Sequence, residues 1–269
     1  MSSIRAYISN LVFKPPLPLL DYPLDLADLE VDTTAVDDHC AEIYGRTGIP
    51  CICSLYPDAR YTIVFSHGNN ENLQTLKWYI DDLAEVMCSD VYAYEYPGYV
   101  ASKHECAPAP SEAGCFAHAE AFIAEIKRIT KQPVILWGYS LGSAITLHCA
   151  EKLKETSFPH AVVLIAPFVS AASVVLAQSS MMLHFSSLWK PFDVFHMKSS
   201  ALSQGHPIFV CNGGEDEVVP PSHGKAIAQW CSNYGKSSYL MIPEANHANV
   251  RIYSDLYDHL NVFLGTLGT

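Results

Sequence analysis

The sequence Val134-Ile135-Leu136-Trp137-Gly138-Tyr139-Ser140-Leu141-Gly142 joins an apolar run to a glycine-flanked serine. Residues 134–137 predict a short buried strand and residues 140–153 predict a helix, so the G-x-S-x-G pattern falls on a strand-to-helix turn. Side chains at the two glycine positions would collide with the strand or the helix. The turn exposes Ser140 Oγ beside a helix N-terminus, which favours developing negative charge. The stretch predicts a nucleophilic serine, and the alternative is a glycine-rich turn that merely tolerates serine.

Strand-like and helix-like blocks alternate along the chain on both sides of this stretch. Further strands are predicted at residues 61–65, 90–94, 161–165, 208–211 and 238–242, and further helices at residues 72–88, 112–129, 224–234 and 250–263. Repeated β-α-β units with buried strands indicate an α/β fold, with a mostly parallel twisted sheet and helices on both faces. We assign residues 35–269 to this one domain. At its start, residues 39–44 and 49–56 are predicted to be two antiparallel strands joined by a turn across Gly45 to Gly48.

Two segments interrupt the alternation. Residues 1–34 contain a proline-rich stretch and are predicted to wrap the outside of the sheet. Residues 168–205 are too long for a simple connection between two strands, and their apolar side chains suit a lid over an apolar substrate pocket. The lid residues expected to line the pocket are Met181, Met182, Phe185 and Trp189. The alternative for this segment is a helix packed on the core.

Composition limits the kind of protein this is. Hydrophobic residues make up 49% and charged residues 16% of the 269 positions, which suits one large core rather than a disordered chain. A net charge of -12 without a basic run excludes nucleic acid as an expected partner and disfavours strong attraction to anionic membranes, while peripheral membrane contact stays open. Nine cysteines without a secretory signal pattern indicate reduced thiols in a cytoplasmic protein. Their spacing does not suggest a zinc site, and we expect neither metal nor cofactor.

A serine hydroxyl needs a base, and the fold requires that base to follow a late strand. His247 follows the predicted strand 238–242 and lies in a short polar loop before the last helix. His148 and His259 fall inside predicted helices, and His206 precedes a strand at the wrong end of the sheet. His247 is therefore the predicted general base, with a solvated loop histidine as the alternative.

The acid that orients this base is expected in the acidic turn after the strand 208–211. Asp216 is delivered to the same sheet edge as Ser140, but its neighbours Glu215 and Glu217 remain candidates, and so does a simple solvated turn. The oxyanion needs two backbone N–H groups. Leu141 supplies one as the residue after the nucleophile, and Asn69, in the loop after the strand 61–65, is the expected second donor.

His67 lies in the same loop as Asn69 and is another candidate for the general base. It precedes Ser140, however, whereas the fold places its base after the nucleophile and the acid. A structural hydrogen bond is the expected role of His67.

Together, Ser66-His67-Gly68-Asn69, the G-x-S-x-G turn, Gly214-Glu215-Asp216-Glu217-Val218 and His247 resemble the α/β-hydrolase superfamily. More narrowly, the chain is similar to the α/β-hydrolase-domain 17 and Bem46-like branch, over roughly residues 43–263. Further stretches that carry the resemblance are Tyr94-Glu95-Tyr96-Pro97-Gly98-Tyr99 and Ser222-His223-Gly224.

Members of that branch are serine hydrolases, and some remove palmitoyl thioesters from membrane-bound proteins. The resemblance implies Ser140 as nucleophile, Asp216 rather than its neighbours as acid, and His247 as base. It also implies an acyl ester or thioester substrate, with S-acylated proteins among the candidates. The chain departs from the branch in lacking cysteine within residues 1–20, so anchoring through an acylated N-terminus is not expected. The nucleophile turn reads Gly-Tyr-Ser-Leu-Gly where that branch tends to have glutamine and isoleucine.

Two other functions remain open at this stage. The first is a serine peptidase of the Bem46 or prolyl-oligopeptidase-like type on the same fold. The second is a non-catalytic binding protein that has kept the fold, whose signature would be a lost triad member. Each triad position carries a suitable residue, which favours the hydrolase.

Overall fold

The computed structural model describes residues 12–15, 38–99, 109–153, 158–171, 173–174, 195 and 205–268. Of the predicted N-terminal wrap, residues 1–34, only 12–15 belong to the described part of the chain. Most of the predicted lid, residues 168–205, lies outside it as well. Among the residues outside are the expected pocket side chains Met181, Met182, Phe185 and Trp189.

Within the described residues, seven strands form one sheet in the order β1-β3-β2-β4-β5-β6-β7. The strands are β1 Cys51–Ser54, β2 Tyr61–Ser66, β3 Ser89–Tyr94, β4 Val134–Tyr139, β5 Ala161–Ile165, β6 Ile208–Gly213 and β7 Ser237–Ile242. Neighbouring strands run parallel, except that β1 pairs with β3 in antiparallel register. This confirms the prediction of an α/β fold with a mostly parallel sheet.

Helices cover both faces of this sheet. Those of the described residues are α1 Asp38–Thr47, α2 Leu73–Met87, α3 Glu112–Ile129, α4 Leu141–Lys152, α5 Ser222–Cys231 and α6 Ser254–Gly265. Side chains of α2 and α6 pack on one face and those of α3, α4 and α5 on the other. Because both faces are covered, β2, β4, β5 and β6 are buried along their whole length.

Strand β4 shows how the sequence divides between the two cores. Successive side chains of a strand point to opposite faces. Ile135 and Trp137 accordingly belong to the core under α2 and α6, while Val134 and Leu136 belong to the core under α3, α4 and α5. The apolar run before Ser140 is thus the centre of a sheet buried on both sides, which anchors the turn that follows it.

The prediction of a strand over residues 39–44 was wrong, because that segment lies in helix α1. Cys40 and Ile43, three residues apart, are both buried on the inner face, and Glu42 pairs with Arg46 four residues on. Gly48 has a φ of +67 and donates its N–H to the Tyr44 carbonyl at 2.7 Å. The glycine that suggested a hairpin turn is therefore the residue that ends a helix.

The loop between β2 and α2 ends at a well-defined cap. The Asn72 side chain accepts the Thr75 N–H at 2.9 Å, and the Thr75 hydroxyl accepts the Asn72 N–H at 3.1 Å. This reciprocal capping box satisfies two backbone donors that the first turn of a helix leaves unpaired. It starts α2 at Leu73 and thereby leaves His67 to Glu71 as the loop that faces the Ser140 turn.

Helix α4 approaches strand β2 at Gly142 too closely for any side chain. A Cβ added at Gly142 would lie 1.9 Å from the Ser66 carbonyl oxygen, which is backbone and cannot rotate away. We expect Gly142→Ala to lower the free energy of unfolding by about 3 kcal/mol or more, since the helix or the strand must move. Urea unfolding followed by circular dichroism measures this change.

Gly45→Ala is the matched control for that substitution. Gly45 lies within α1, and a Cβ there would have no neighbour within 4 Å. Alanine in a helix interior is more favourable than glycine by about 0.5–1 kcal/mol, so this variant is expected to be slightly more stable than wild type. Equal unfolding midpoints for the two variants would contradict the close approach of α4 to β2.

Candidate active site

Ser140 sits between β4 and α4 in a strained backbone conformation. Its φ is 51° and its ψ is -115°, which a residue with a side chain rarely adopts. The Ser140 N–H donates to the Ile165 carbonyl at the end of β5 at 2.9 Å, and this bond ties the turn to the neighbouring strand. The hydroxyl is thus held at the carboxyl edge of the sheet, as expected for a nucleophile turn.

His247 reaches Ser140 from the loop that follows β7. Its Nε2 lies 3.0 Å from Ser140 Oγ, and its Nδ1 lies 2.7 Å from Asp216 Oδ2. The carbonyl of His247 accepts the Tyr139 hydroxyl at 2.9 Å, so the residue before Ser140 helps hold the histidine loop. The structure therefore brings Ser140, His247 and Asp216 into one hydrogen-bonded series.

Asp216 is positioned by the turn after β6. Its side chain is fully buried, and its Oδ1 accepts the N–H groups of Val218 at 2.9 Å and Val219 at 2.7 Å. Those two bonds fix the carboxylate so that Oδ2 faces the imidazole. The neighbours Glu215 and Glu217 are exposed to solvent, and neither is the carboxylate that faces His247.

The contacts of His247 determine how its ring must carry its proton. A carboxylate only accepts hydrogen bonds, so Nδ1 carries the hydrogen that faces Asp216. Nε2 is then free to accept the hydrogen of the Ser140 hydroxyl. The arrangement can therefore take a proton from Ser140 and return it to another atom at the same place.

The residues expected to form the oxyanion hole belong to two segments, the start of α4 and the loop after β2. Leu141 is the first residue of α4, where backbone N–H groups have no partner within the helix. Asn69 follows β2, and both the oxygen and the nitrogen of its side-chain amide are hydrogen-bonded. Its Oδ1 accepts the Lys14 N–H at 3.0 Å and the Tyr99 hydroxyl at 2.6 Å, and its Nδ2 donates to the Val12 carbonyl at 2.6 Å. The assignment of the two N–H donors stays a prediction.

His67, the other candidate for the general base, forms a separate buried pair with Glu95. Its Nε2 is 2.9 Å from Glu95 Oε1, and its Nδ1 is 2.8 Å from the Gly68 carbonyl. Its ring stacks on Tyr96, whose hydroxyl donates to the His67 carbonyl at 2.8 Å. With both ring nitrogens occupied and no exposure to solvent, His67 supports the loop that carries Asn69.

The sequence analysis did not single out Glu71 and Arg251, which lie close to this site. Glu71 belongs to the loop that carries Asn69, and Arg251 lies four positions after His247. Their side chains form an ion pair at 2.5 Å although they are 180 positions apart along the chain, which no local pattern reveals. Glu71 lies in the loop after β2 and Arg251 in the short 3₁₀ helix Val250–Ile252. Burial opposes the charged form of Arg251, but Glu71 and two tyrosines outweigh it and raise its pKa. In the sequence, the only indication of this pair was a charged residue within four positions after Asn69 and after His247.

The described part of the chain shows neither a metal-binding cluster nor a membrane-spanning helix. No group of three or more His, Cys, Asp or Glu side chains that could hold a metal ion occurs there. None of the helices in those residues has the length and apolar character needed to cross a membrane.

Comparison with known proteins gives a family match. The family described as Hydrolase_4, serine aminopeptidase, S33, matches residues 57–206, more than half of the chain. Alpha/beta hydrolase domain-containing protein 17C from Homo sapiens is 26% identical over 245 residues, covering 90% of this chain and 67% of that protein. The Xenopus tropicalis protein of the same name is 28% identical over 212 residues. That alignment covers 77% of this chain, which spans only 63% of the relative's length.

Solved structures resemble the chain in fold. A soluble variant of monoglyceride lipase from Saccharomyces cerevisiae, in complex with a substrate analogue, has a TM-score of 0.63 at 14% identity, over 82% of this chain and 92% of that one. A thermophilic esterase from Thermogutta terrifontis has a TM-score of 0.59 at 15% identity, over 82% and 90%. At such identities the likeness shows the fold alone. The predicted α/β-hydrolase fold, with its resemblance to the α/β-hydrolase-domain 17 branch, is confirmed.

Proposed function

We propose that this chain, which belongs to the Hydrolase_4 family described as serine aminopeptidase, S33, cleaves carboxylic esters or thioesters. Ser140 is the proposed nucleophile. The observation that carries the proposal is the continuous series from Ser140 Oγ through His247 to the buried Asp216. A serine alone is a poor nucleophile, and this series supplies the base and the group that orients it.

The proposed reaction proceeds through an acyl-enzyme. His247 Nε2 takes the proton of Ser140 as Oγ attacks the acyl carbon, and Asp216 stabilises the resulting imidazolium. His247 then gives that proton to the leaving alcohol or thiol as its bond to the acyl carbon breaks. A water molecule, deprotonated by His247, attacks the acyl-enzyme and releases the carboxylic acid. Ser140 recovers its proton from His247, so no external acid, base or oxidant is consumed.

The negative charge on the tetrahedral intermediate needs donors that are already in place. We assign this role to the backbone N–H groups of Leu141 and Asn69. The N-terminus of α4 adds a favourable dipole at the same position. Removing one such donor from a serine hydrolase costs on the order of 10²–10³-fold in turnover, so the placement of the Asn69 loop matters for rate.

Three carboxylates of the described residues, in and beside the site, favour an acyl substrate over an aminopeptide. An aminopeptidase needs a negative group that binds the α-ammonium of its substrate. Asp216 is held by His247, Glu71 by Arg251, and Glu95 by His67. Each of these three charges therefore already has a partner, which supports an uncharged acyl chain beside the nucleophile.

The similarity to α/β hydrolase domain-containing protein 17C supports a narrower proposal. We include S-acylated proteins among the substrates, with cytoplasmic location and peripheral contact with membranes. The net charge of -12 supports the exclusion of nucleic acid as a partner. The chemistry described above needs no metal or cofactor.

The test is hydrolysis of a series of p-nitrophenyl esters from acetyl to palmitoyl, of the matching acyl thioesters and of aminoacyl amides. Ser140→Ala serves as the blank. We expect esters and thioesters to turn over at least about tenfold faster than amides, because amines are poorer leaving groups and the nearby carboxylates are engaged. Rates that increase with acyl length would support S-acylated substrates.

The same series identifies the alternatives. Faster cleavage of aminoacyl amides would replace the proposal with a serine peptidase, which the description of the family favours. A preference for acetyl would remove the S-acylated proteins from the proposal. Wild-type protein as inactive as Ser140→Ala on all three classes would indicate the non-catalytic binding protein.

A further inference from the structure

A largely buried ion pair connects three of the segments that bear the proposed active site. Glu71 belongs to the loop after β2 that carries Asn69. Arg251 belongs to the segment after β7 that carries His247. Their side chains are only 14% and 11% exposed, and Glu71 Oε1 lies 2.5 Å from Arg251 Nη2. The ring of Tyr139, directly before Ser140, lies under the Arg251 guanidinium.

Glu71 anchors the backbone of the Asn69 loop. Its second oxygen, Oε2, accepts the Gly68 N–H at 2.7 Å, one residue before the proposed oxyanion donor. A Cβ at Gly68 would lie 3.0 Å from this oxygen and also 3.0 Å from the Tyr139 ring. The loop backbone is therefore packed between the carboxylate and the ring beside the nucleophile, and its position depends on both.

Arg251 packs on the same ring. Its guanidinium carbon lies 4.6 Å from the Tyr139 ring centroid and 4.4 Å from that of Tyr79 on α2, so the cation contacts two aromatic faces. Its backbone carbonyl accepts the Tyr257 hydroxyl. A guanidinium suits this place because it is planar and stacks on rings while its edge binds a carboxylate.

Tyr139 completes the connection to the catalytic base. Its hydroxyl donates to the His247 carbonyl at 2.9 Å. Burial raises the pKa of Tyr139 above its ordinary value, so the hydroxyl stays protonated and keeps donating. The Asn69 loop, the Ser140 turn and the His247 loop thus share one set of contacts around Arg251.

We propose that the Glu71–Arg251 pair is a positioning element that holds the Asn69 loop in register with Ser140 and His247. Neither residue touches the triad atoms, so both act through Gly68 and Tyr139. The proposal rests on the proposed function, because it concerns the placement of an oxyanion donor. Such donors act only when they are fixed in advance at the place where charge develops. A shift of about 1 Å in such a group is enough to cost on the order of 10²-fold in rate.

Arg251→Met tests the role of the cation, since methionine keeps an unbranched apolar side chain but removes the charge and the hydrogen bonds. In the full chain, kcat is expected to fall about tenfold to a hundredfold while KM stays within about threefold, because the pair supports the transition state rather than substrate binding. Arg251→Lys restores the charge without the planar fork and should recover part of the lost kcat.

Arg128→Met is the matched control. Arg128 lies on α3 and pairs with Glu125 on the protein surface, where its side chain is 49% exposed. The same change at this exposed arginine, far from Ser140 in the fold, should leave kcat unaltered and stability nearly so. Arg251→Met with wild-type kcat and a wild-type fold would overturn the proposal.

A second readout does not depend on hydrolysis. Hydrogen exchange of the peptide that spans residues 66–72 should be faster in Arg251→Met than in wild type or Arg128→Met, because Gly68 loses its anchored acceptor. If Arg251→Met fails to fold, Glu71→Gln takes its place, since it keeps an acceptor for Gly68 and loses only the charge. Unchanged exchange in the folded variant overturns the proposal. Inactive wild-type protein with faster exchange in the variant refutes the proposed function alone.

Discussion

Ser140→Ala is expected to lower ester or thioester turnover by about 10⁴-fold or more, because it removes the only atom that forms the proposed acyl-enzyme. It should also abolish covalent labelling by a fluorophosphonate, which reacts with activated serines. The melting temperature should stay close to that of wild type, since alanine removes only one oxygen from a side chain that is 8% exposed. Steady-state kinetics, labelling and thermal unfolding together check this prediction.

The control for Ser140→Ala is Ser232→Ala. Ser232 is an exposed serine at the end of α5, whose hydroxyl bonds only within its own turn. That variant should keep full turnover and full labelling. A Ser140→Ala protein that still reacts with the fluorophosphonate, or still turns over substrate, would show that the nucleophile lies elsewhere.

Asp216→Asn is expected to lower turnover by about 10³–10⁴-fold although it changes one atom. Asp216 Oδ1 accepts two backbone N–H groups, and the asparagine oxygen would keep those bonds. The amide NH₂ would then face His247 Nδ1 and force that nitrogen to accept. The ring proton would move to Nε2, which could no longer take the proton of Ser140. The pH dependence and magnitude of kcat for the purified variant check this.

Glu215→Gln and Glu217→Gln are the matched controls for that change. Both residues flank Asp216 in sequence but are exposed to solvent. Each should retain wild-type turnover. In the double variant Ser140→Ala/Asp216→Asn, turnover should be no lower than in Ser140→Ala alone, because the two residues act as one unit. A loss at Glu215 with normal activity of Asp216→Asn would move the acid to the neighbouring position.

Much of the fold could be predicted because it follows from local patterns. Apolar runs of strand length alternate with longer amphipathic stretches, and each of the predicted strands from residue 61 onward occurs in the sheet. Local patterns were misleading at residues 39–44. Gly48 was interpreted as part of a hairpin turn, but it ends helix α1 with a positive φ. A glycine marks a change of direction without revealing which element precedes it.

The candidate site was predictable to the extent that the fold orders it. Parallel strands bring their carboxyl ends to one edge, so a serine after β4, an acid after β6 and a histidine after β7 must approach one another. Without the family resemblance, spacing alone does not distinguish Glu215, Asp216 and Glu217 as the acid, since all three directly follow the same strand. The chain direction at that turn buries Asp216 and exposes its neighbours. This difference in burial arises from tertiary packing, which cannot be predicted from the spacing of residues in the sequence.

The sequence by itself determined the elements, their order along the chain and the few residues able to carry acyl-transfer chemistry, because those depend on periodicity and on chain direction. Only the tertiary structure decided which charges became partners. The pair of His67 with Glu95 and that of Glu71 with Arg251 join residues from separate loops. The physical reason is that a buried charge must find an opposite charge or a hydrogen bond, and that partner is chosen by proximity in space.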